Sequence, residues 1–193
     1  MRKVVSALAL ALLGTSCRGM LEVNDHYRFD EHPGKGLVVA STRISSECGN
    51  DATVDFESDR GEPGTFTFQN AYATPDFTDP TGFFWVMELP PGRYKLKRLR
   101  LGTKYSSRSP IDATFTVREG ETAYLGELQM QVVGCTRFDF RVADRWDRDE
   151  ALFAKKMKNV TAASVTKQIL ATAARPPARG PAPAAVPAAA PRP

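Results

Sequence analysis

Short runs in which every second residue is apolar recur along most of this chain, and they restrict its fold more than any other feature. The runs are residues 52–58, 65–69, 111–117, 123–133 and 137–144. A period of two is typical of β-strands that bury one face. Gly, Pro, Asn and Asp residues separate the runs, and no helical periodicity precedes Asp144.

Three further segments complete the β pattern. Residues 36–44 are rich in β-branched residues, and residues 92–101 combine basic and apolar positions. Residues 83–89 (FFWVMEL) are apolar on both parities, which predicts a central strand covered on both faces. About eight short strands with no helix between them predict a mainly β fold, an antiparallel sandwich of about seven to eight strands.

The period changes from two to that of a helix only after Asp144. Asp147 followed by Glu150 three residues later is a capping-box arrangement, and Leu152, Phe153 and Met157 follow at helical spacing. We therefore expect one amphipathic C-terminal helix against the sandwich. The pattern also allows the helix to resume over residues 161–170.

The N-terminus has the form of a secretory signal, because two basic residues precede the apolar stretch 4–13 and then small residues. The stretch is too short to span a bilayer, which needs about 20 residues. Ending at Cys17, it resembles a bacterial lipoprotein signal, although Gly14 stands where that signal usually has leucine. The resemblance implies a lipid-modified Cys17 and, from Arg18, an outer-membrane location. The alternative is an ordinary signal cut near Ser16 and a soluble secreted protein.

A lipidated Cys17 leaves Cys48 and Cys135 as an even pair in an oxidising compartment. Both lie in or beside turn-rich segments, so we predict a disulfide that joins two loops. The alternative is two separate buried thiols, because spacing alone does not show that the cysteines meet.

The composition divides the chain into five parts. Residues 171–193 hold seven of the 14 prolines and no acidic residue, which is typical of a disordered tail. The expected parts are a signal peptide (1–16), a lipidated cysteine and tether (17–35), the β-sandwich (36–143), a C-terminal helix region (144–170) and the Ala/Pro-rich tail (171–193).

The motif LPPGRY at residues 89–94 predicts a tight turn. Pro90 precedes Pro91, which fixes φ for the second position of a type II turn, and Gly92 supplies the positive φ that the third position needs. We therefore expect a structural hairpin corner rather than a binding site, with Leu89, Tyr94 and Leu96 on one face.

This motif also resembles the transthyretin-like (prealbumin-like) sandwich known from the regulatory domain of carboxypeptidases. Residues 115–128 (FTVREGETAYLGEL) look like the next hairpin of that family. Residues 142–157 (VADRWDRDEALFAKKM) are similar to the closing strand and helix of small bacterial lipoproteins of unknown function. The resemblance covers roughly residues 36–158. It implies a fold and says almost nothing about function.

A basic strip follows the corner, and no acidic residue interrupts it. Its members are Arg93, Lys95, Lys97, Arg98, Arg100, Lys104 and Arg108. The change of parity at Leu99 predicts a β-bulge at Lys97–Arg98. The strip is a candidate contact for lipid phosphates, lipopolysaccharide or an acidic glycan. The alternative is a solvated sheet face, or an edge whose lysines prevent aggregation.

Charge and motifs exclude several classes of function. The net charge of +4 comes from five basic residues near the two ends, without which 21 basic residues face 22 acidic ones. A near-neutral domain gives no indication of nucleic-acid binding. The chain has no C-x-x-C, H-E-x-x-H, G-x-S-x-G or P-loop motif. We therefore predict no metal and no cofactor.

Two functions are compatible with these patterns. The first is a non-catalytic envelope lipoprotein whose sandwich binds or braces an envelope partner, either a protein or a glycan. The second is a carboxylate-dependent glycan hydrolase that uses Asp76 and Asp79 from the polar loop 72–82. Two carboxylates that converge in a pocket would favour the hydrolase.

Overall fold

The computed structural model describes residues 23–46, 48, 51–69, 74–78 and 81–172. The predictions for the signal peptide, Cys17, Asp79 and the tail from residue 173 lie outside these residues. Within them the chain is mainly β with one α-helix, as predicted.

The strands form two sheets that pack face to face. Sheet A contains β1 (Gly36–Ser46), β4 (Phe77–Thr78), β5 (Thr81–Leu89), β9 (Thr122–Val133), β10 (Arg137–Ala143) and β11 (Val165–Lys167). Sheet B contains β2 (Ala52–Ser58), β3 (Pro63–Gln69), β6 (Gly92–Leu101), β7 (Tyr105–Ser106) and β8 (Thr114–Val117).

Strands β10 and β7 lie on the same side of the two sheets, because residues of both strands line one cavity. Sheet A runs β10-β9-β1-β5-β4 with β11 also beside β9, and sheet B runs β3-β2-β6-β7 with β8 also beside β6. Most neighbours are antiparallel. However, β9 is parallel to both β1 and β11, so sheet A is mixed rather than purely antiparallel as expected.

Two apolar clusters account for the alternation along the strands. One lies between the sheets, where the rings of Phe56, Phe66, Tyr94 and Phe115 pack together. The other lies on the outer face of sheet A, beneath the helix α1 (Trp146–Lys156). The first half of β1 faces both clusters, which explains why its residues are buried on both parities.

Residues 23–35, which we expected to form part of a tether, pack against the helix-covered face. Tyr27 is only 2% exposed and belongs to the outer cluster. The Val23 N–H donates to the Val86 carbonyl over 3.2 Å, and the Lys158 N–H donates to the Asp25 carbonyl over 2.9 Å. A short 3-10 helix, Phe29–Glu31, completes this segment.

The LPPGRY corner connects the two sheets instead of forming a hairpin. Strand β5 ends at Leu89 in sheet A and β6 begins at Gly92 in sheet B. The prediction of positive φ at Gly92 is wrong, because Gly92 already pairs with Val117 as extended strand. Tyr94 secures the crossover by donating its hydroxyl proton to the Pro90 carbonyl over 2.8 Å. Its ring lies between the sheets, as expected.

The predicted bulge in β6 is confirmed. Val54 pairs with Leu99 and Phe56 pairs with Leu96, so Lys97 and Arg98 together oppose the single residue between them on β2. The extra residue shifts the parity of the strand. Leu96 and Leu99 are therefore both buried although three positions separate them.

The C-terminal region differs from its prediction in two respects. The helix begins at Trp146, whose N–H donates to Asp144 Oδ1 over 3.0 Å, so Asp147 is not the N-cap. Residues 161–170 do not resume the helix but form a 3-10 turn and β11. Strand β11 pairs with Thr122–Tyr124, the part of the β9 edge that β10 leaves open. Pairing with this free edge outweighs the weak helical pattern.

The predicted disulfide between Cys48 and Cys135 is confirmed. The two Cα atoms lie 5.5 Å apart and the cysteines are 87 residues apart in sequence. Because β1 and β9 are parallel, the end of β1 lies near the turn that joins β9 to β10. The bridge closes this end of sheet A.

Candidate functional site

A groove of about 890 Å³ opens at the edge of the two sheets, where β10 and β7 end them. One wall consists of residues 104–112, which follow β6, and the other consists of residues 135–138 and Phe140. Leu99, Ile111, Phe138 and Phe140 supply its apolar lining. The groove exists because the terminal strands of the two sheets leave this side open.

The groove is basic. Lys104 and Arg108 line one wall and Arg137 lines the other, whereas Asp112 is the one acidic residue among the described residues that line the groove. Neither Lys104 nor Arg108 forms an ion pair within the described part of the chain. The Arg137 Nε atom lies 3.8 Å from Asp139 Oδ2, a long contact on an exposed surface. These cations are therefore free to interact with an anionic partner.

The rest of the predicted basic strip lies elsewhere. The Lys97 Nζ atom is 2.8 Å from Glu57 Oε2, and the Arg100 Nη2 atom is 2.7 Å from Asp55 Oδ1, so neighbouring strand β2 neutralises both. Arg93, Lys95 and Arg98 are exposed on sheet B outside the groove. Only two of the seven basic residues thus line the groove.

Sequence reasoning missed Arg137, the third cation. It lies on the other sheet and follows Arg108 by 29 residues, so no local pattern connects the two. The predicted disulfide was the one available signal, because Cys135 lines the groove two residues before Arg137. The predicted disulfide brings the β9–β10 turn close to the end of β1. It does not predict that this turn also lies near the loop after β6.

The wall opposite β10 also presents an aromatic ring and several hydroxyls. Tyr105 is 43% exposed, one of the most exposed large hydrophobic side chains among the described residues. Ser107 holds the loop in shape, because its Oγ accepts from the Leu99 N–H over 3.2 Å and donates to the Ser109 carbonyl over 3.0 Å. The groove therefore combines cations, an exposed ring and an apolar lining.

A second cluster of charged residues lies beneath the start of α1, and it is buried. Asp149 is 0% exposed and accepts from Ser41 Oγ over 2.6 Å and from the Tyr124 hydroxyl over 2.7 Å. The Arg148 guanidinium lies 2.7 Å from Asp149 Oδ1 and 2.7 Å from Glu127 Oε1. We call these five residues the buried network.

The partners of the buried network leave no carboxylate unpaired. Glu127, 1% exposed, also has the Arg43 Nε atom at 3.8 Å and accepts a hydrogen bond from Gln129 Nε2. Burial, and then the hydrogen bond to Asp149, raise the pKa of Tyr124 above its usual value, so the phenol keeps its proton. Arg148 covers the Phe77 ring at 4.0 Å. The network fastens α1 to sheet A, and Asp149 lies in the interior although it belongs to the first turn of the helix.

The carboxylate proposed for the hydrolase has a structural role. Asp76 Oδ2 accepts from the Phe84 N–H over 2.8 Å, and its Oδ1 lies 3.1 Å from Lys156 Nζ. It shares a cavity of about 300 Å³ with Asp25, which is itself paired with Lys158. Over the residues described, no group of three or more His, Cys, Asp or Glu side chains could hold a metal ion.

Comparisons with known proteins do not assign a family. No protein-family model and no curated protein matches the chain. One similar solved structure is a leucine-rich repeat protein from Bacteroides thetaiotaomicron VPI-5482, 12% identical, with a TM-score of 0.32. The match covers 52% of this chain and 14% of that one, a likeness too small to carry an argument. None of the helices formed by the described residues has the length and apolar character that crossing a membrane needs.

Proposed function

We propose that this protein is a non-catalytic binding protein of the bacterial cell envelope, and that its basic groove holds an anionic partner. One observation carries the proposal: the groove brings Lys104, Arg108 and Arg137 together from both sheets with one acid among its lining residues. Cations that a protein gathers without neutralising them create a positive potential that attracts anions.

The envelope location rests on the N-terminal pattern and on the disulfide. The signal-like segment ending at Cys17 directs the chain out of the cytoplasm, and lipid on Cys17 anchors it to the outer membrane. The Cys48–Cys135 bridge agrees with an oxidising compartment. Mass spectrometry of the mature N-terminus tests the anchor: we expect a diacylated Cys17. An unmodified N-terminus at another residue would leave a secreted protein.

The fold that we propose is the transthyretin-like sandwich. Two features support it: strand β5 leads into LPPGRY and β6 leaves it, and residues 142–157 run from a closing strand into a helix. A fold of this kind hosts many functions, so the functional proposal depends on the groove rather than on the fold.

Binding accounts for the groove better than hydrolysis does. A glycan hydrolase needs two carboxyl groups that face each other across a cleft. The described residues that line the groove contribute one carboxyl group, that of Asp112, and three cations. An excess of cations suits the retention of an anionic chain.

A charge-reversal experiment tests the groove. The triple variant Lys104→Glu/Arg108→Glu/Arg137→Glu and a matched control, Arg93→Glu/Lys95→Glu/Arg98→Glu, change the net charge equally. The probes are poly-glutamate and polygalacturonate at low salt, measured by fluorescence anisotropy. We expect the groove variant to lose at least tenfold in affinity for the better probe and the control to lose less than threefold. Equal losses would show that net charge, not the groove, is responsible.

A further inference from the structure

We infer that the groove binds a short segment of an acidic polysaccharide. Sugar carboxylates pair with Lys104, Arg108 and Arg137, and the Tyr105 ring packs against the face of one sugar. This inference rests on the proposed function and names the partner of the same groove. It follows from three observations: an exposed aromatic ring, free hydroxyls beside cations that are not neutralised, and a wall that the fold holds in place.

Tyr105 presents an uncovered ring to the groove. It pairs with Leu101 across β7 and β6, so both side chains lie on the face of sheet B that is turned toward sheet A. Leu101 is buried there, whereas Tyr105, nearer the open side, is exposed. Among the described residues, Tyr105 is the one exposed Phe, Tyr or Trp side chain. An exposed aromatic ring is a flat apolar surface, which suits the C–H face of a sugar ring.

Hydroxyl groups accompany the ring on both walls of the groove. Ser106 and Ser109 belong to the wall after β6, and Thr136 belongs to the opposite wall. The side-chain hydroxyls of these three residues form no hydrogen bond within the described part of the chain. A hydroxyl can both donate and accept, as can each hydroxyl of a sugar. The groove therefore offers several unused partners to a ligand that is rich in hydroxyls.

The charges of the groove fit a ligand that carries both carboxylates and hydroxyls. Lys104 and Arg108 have no ion pair among the described residues, and Arg137 has only its long contact with Asp139. Asp112 is exposed in the same groove and also has no ion pair among the residues described. Its carboxylate repels another anion but accepts hydrogen bonds from hydroxyls. An acidic sugar supplies carboxylates for the cations and hydroxyl donors for Asp112.

The fold holds the walls of the groove in place. The Ser107 N–H donates to the Leu99 carbonyl over 2.8 Å, and the Ile111 N–H donates to the Lys97 carbonyl over 3.2 Å. These bonds attach the loop after β6 to the strand itself. On the other wall, the disulfide fixes Cys135. Because both walls are ordered in the free protein, binding of a ligand costs little conformational entropy in the groove.

Two other occupants fit the groove less well. An acidic polypeptide would pair with the cations, but its donors are mainly backbone N–H groups, which match the scattered hydroxyls poorly. The polypeptide therefore serves as an outcome of the test. The chain's own continuation starts beside the groove, because Thr172 is among the lining residues. Residues 173–193 contain three arginines and no acid, so their charge opposes the groove.

The experiment compares three small probes on the full chain by isothermal titration calorimetry at low salt. They are trigalacturonate, its trimethyl ester, and a tripeptide of glutamate that is blocked at both ends. Trigalacturonate and the tripeptide carry three carboxylates each, whereas the ester keeps the sugars without the charge. We expect trigalacturonate to bind at least tenfold more tightly than either of the other two probes.

Substitution of Tyr105 separates the role of the ring from that of the cations. We expect Tyr105→Ala to weaken trigalacturonate binding at least tenfold and tripeptide binding less than threefold, because only the sugar uses the ring. Tyr105→Phe is the matched control, and its affinity should stay within threefold. In NMR spectra, the ring current should shift C–H protons of one bound sugar upfield in the unaltered protein and not in Tyr105→Ala.

Each contrary result is distinguishable from the failure of the proposed function. If the tripeptide binds as tightly as trigalacturonate, or Tyr105→Ala weakens both equally, the sugar assignment is wrong while the anion-binding groove stands. If the ester binds as tightly as the acid, the inferred pairing of sugar carboxylates with the cations is wrong. Truncation after Thr172 should change the affinity less than threefold, and a tenfold gain would assign the groove to residues 173–193 instead. If the groove charge reversal affects no anionic probe, both proposals fail.

Discussion

The buried network and the basic groove contain the same kinds of side chain in opposite environments. In the network, Arg148 is held between Asp149 and Glu127 beneath α1. In the groove, Lys104 and Arg108 are exposed and carry no ion pair among the described residues. The first arrangement satisfies every charge internally. The second leaves its charges for something outside the chain.

Solvation explains why the two regions have different consequences. A buried charge that loses its partner keeps the cost of desolvation without the compensating attraction. Removal of one member of the network should therefore strongly lower the free energy of unfolding. An exposed cation is already solvated by water, and its removal changes stability little. Residues of the network should therefore control folding, whereas residues of the groove should control binding.

Removal of Asp149 should give the largest effect. We expect Asp149→Ala to lower the free energy of unfolding by about 3–5 kcal/mol, because Arg148, Ser41 and Tyr124 lose their common acceptor. Asp147→Ala, at an exposed acid of the same helix turn, should cost less than about 1 kcal/mol. Urea unfolding measures both. Equal midpoints for the two variants would mean that the network does not fasten the helix.

If Asp149→Ala fails to fold, Asp149→Asn keeps the shape of the side chain and can still accept one hydrogen bond. We expect it to destabilise the protein by an intermediate amount, about 2 kcal/mol. A midpoint like that of the unaltered protein would contradict the assigned role of the charge.

Loss of the disulfide should give the second-largest loss of stability. It closes a long loop, with the cysteines 87 residues apart, so its loss should cost about 2–4 kcal/mol through the greater entropy of the unfolded chain. The measurement is the urea midpoint of Cys48→Ser/Cys135→Ser. Because Cys135 also lines the groove, probe affinity should fall in this variant as well. Two alkylatable thiols in the native protein would refute the bridge.

Substitutions at two glycines compare the region beside the buried network with the crossover between β5 and β6. Gly126 has φ of +97°, and a Cβ there would lie 2.9 Å from the Ala143 carbonyl oxygen, next to Glu127 of the network. Gly126→Ala should therefore cost about 1–3 kcal/mol. At Gly92 a Cβ would lie 3.3 Å from Asp59 Oδ1, so Gly92→Ala should cost less than about 1 kcal/mol. Thermal or urea midpoints that reverse this order would contradict the extended backbone assigned to Gly92.

The groove variant Lys104→Glu/Arg108→Glu/Arg137→Glu should give the smallest change in stability, below about 1 kcal/mol. Among the residues that the structure describes, these cations form one long surface contact, that of Arg137 with Asp139. The urea midpoint of this variant measures the change. A loss as large as that of Asp149→Ala would show that these residues support the fold and would remove the distinction between the two regions.

The sequence was informative where the deciding forces are local. The alternation of Val54 with Phe56 and the parity change at Leu99 predicted a strand and a bulge, because burial acts on every second residue. The cysteine count predicted the disulfide. Gly92 was misassigned because a turn and a crossover between sheets use the same proline and glycine residues. Only the pairing of β5 with β1 and of β6 with β2 distinguishes them.

The sites were harder to predict because they are built from distant segments. Ser41 and Asp149 are 108 residues apart, and an acid near the start of a helix usually faces water. Arg137 joins Lys104 and Arg108 through the packing of the two sheets, which no spacing in the sequence encodes. Residues 165–167 became a strand because β9 had a vacant edge there.

The claim that the groove, and not the network, is the binding site is tested most directly by an NMR titration. The ¹⁵N-labelled protein is titrated with poly-glutamate at low salt, and amide chemical shifts are followed residue by residue. We expect the shifts to concentrate in residues 104–112 and 135–140, while Ser41, Tyr124 and Asp149 stay unchanged. Shifts spread over Arg93, Lys95 and Arg98, or centred on the network, would contradict the account.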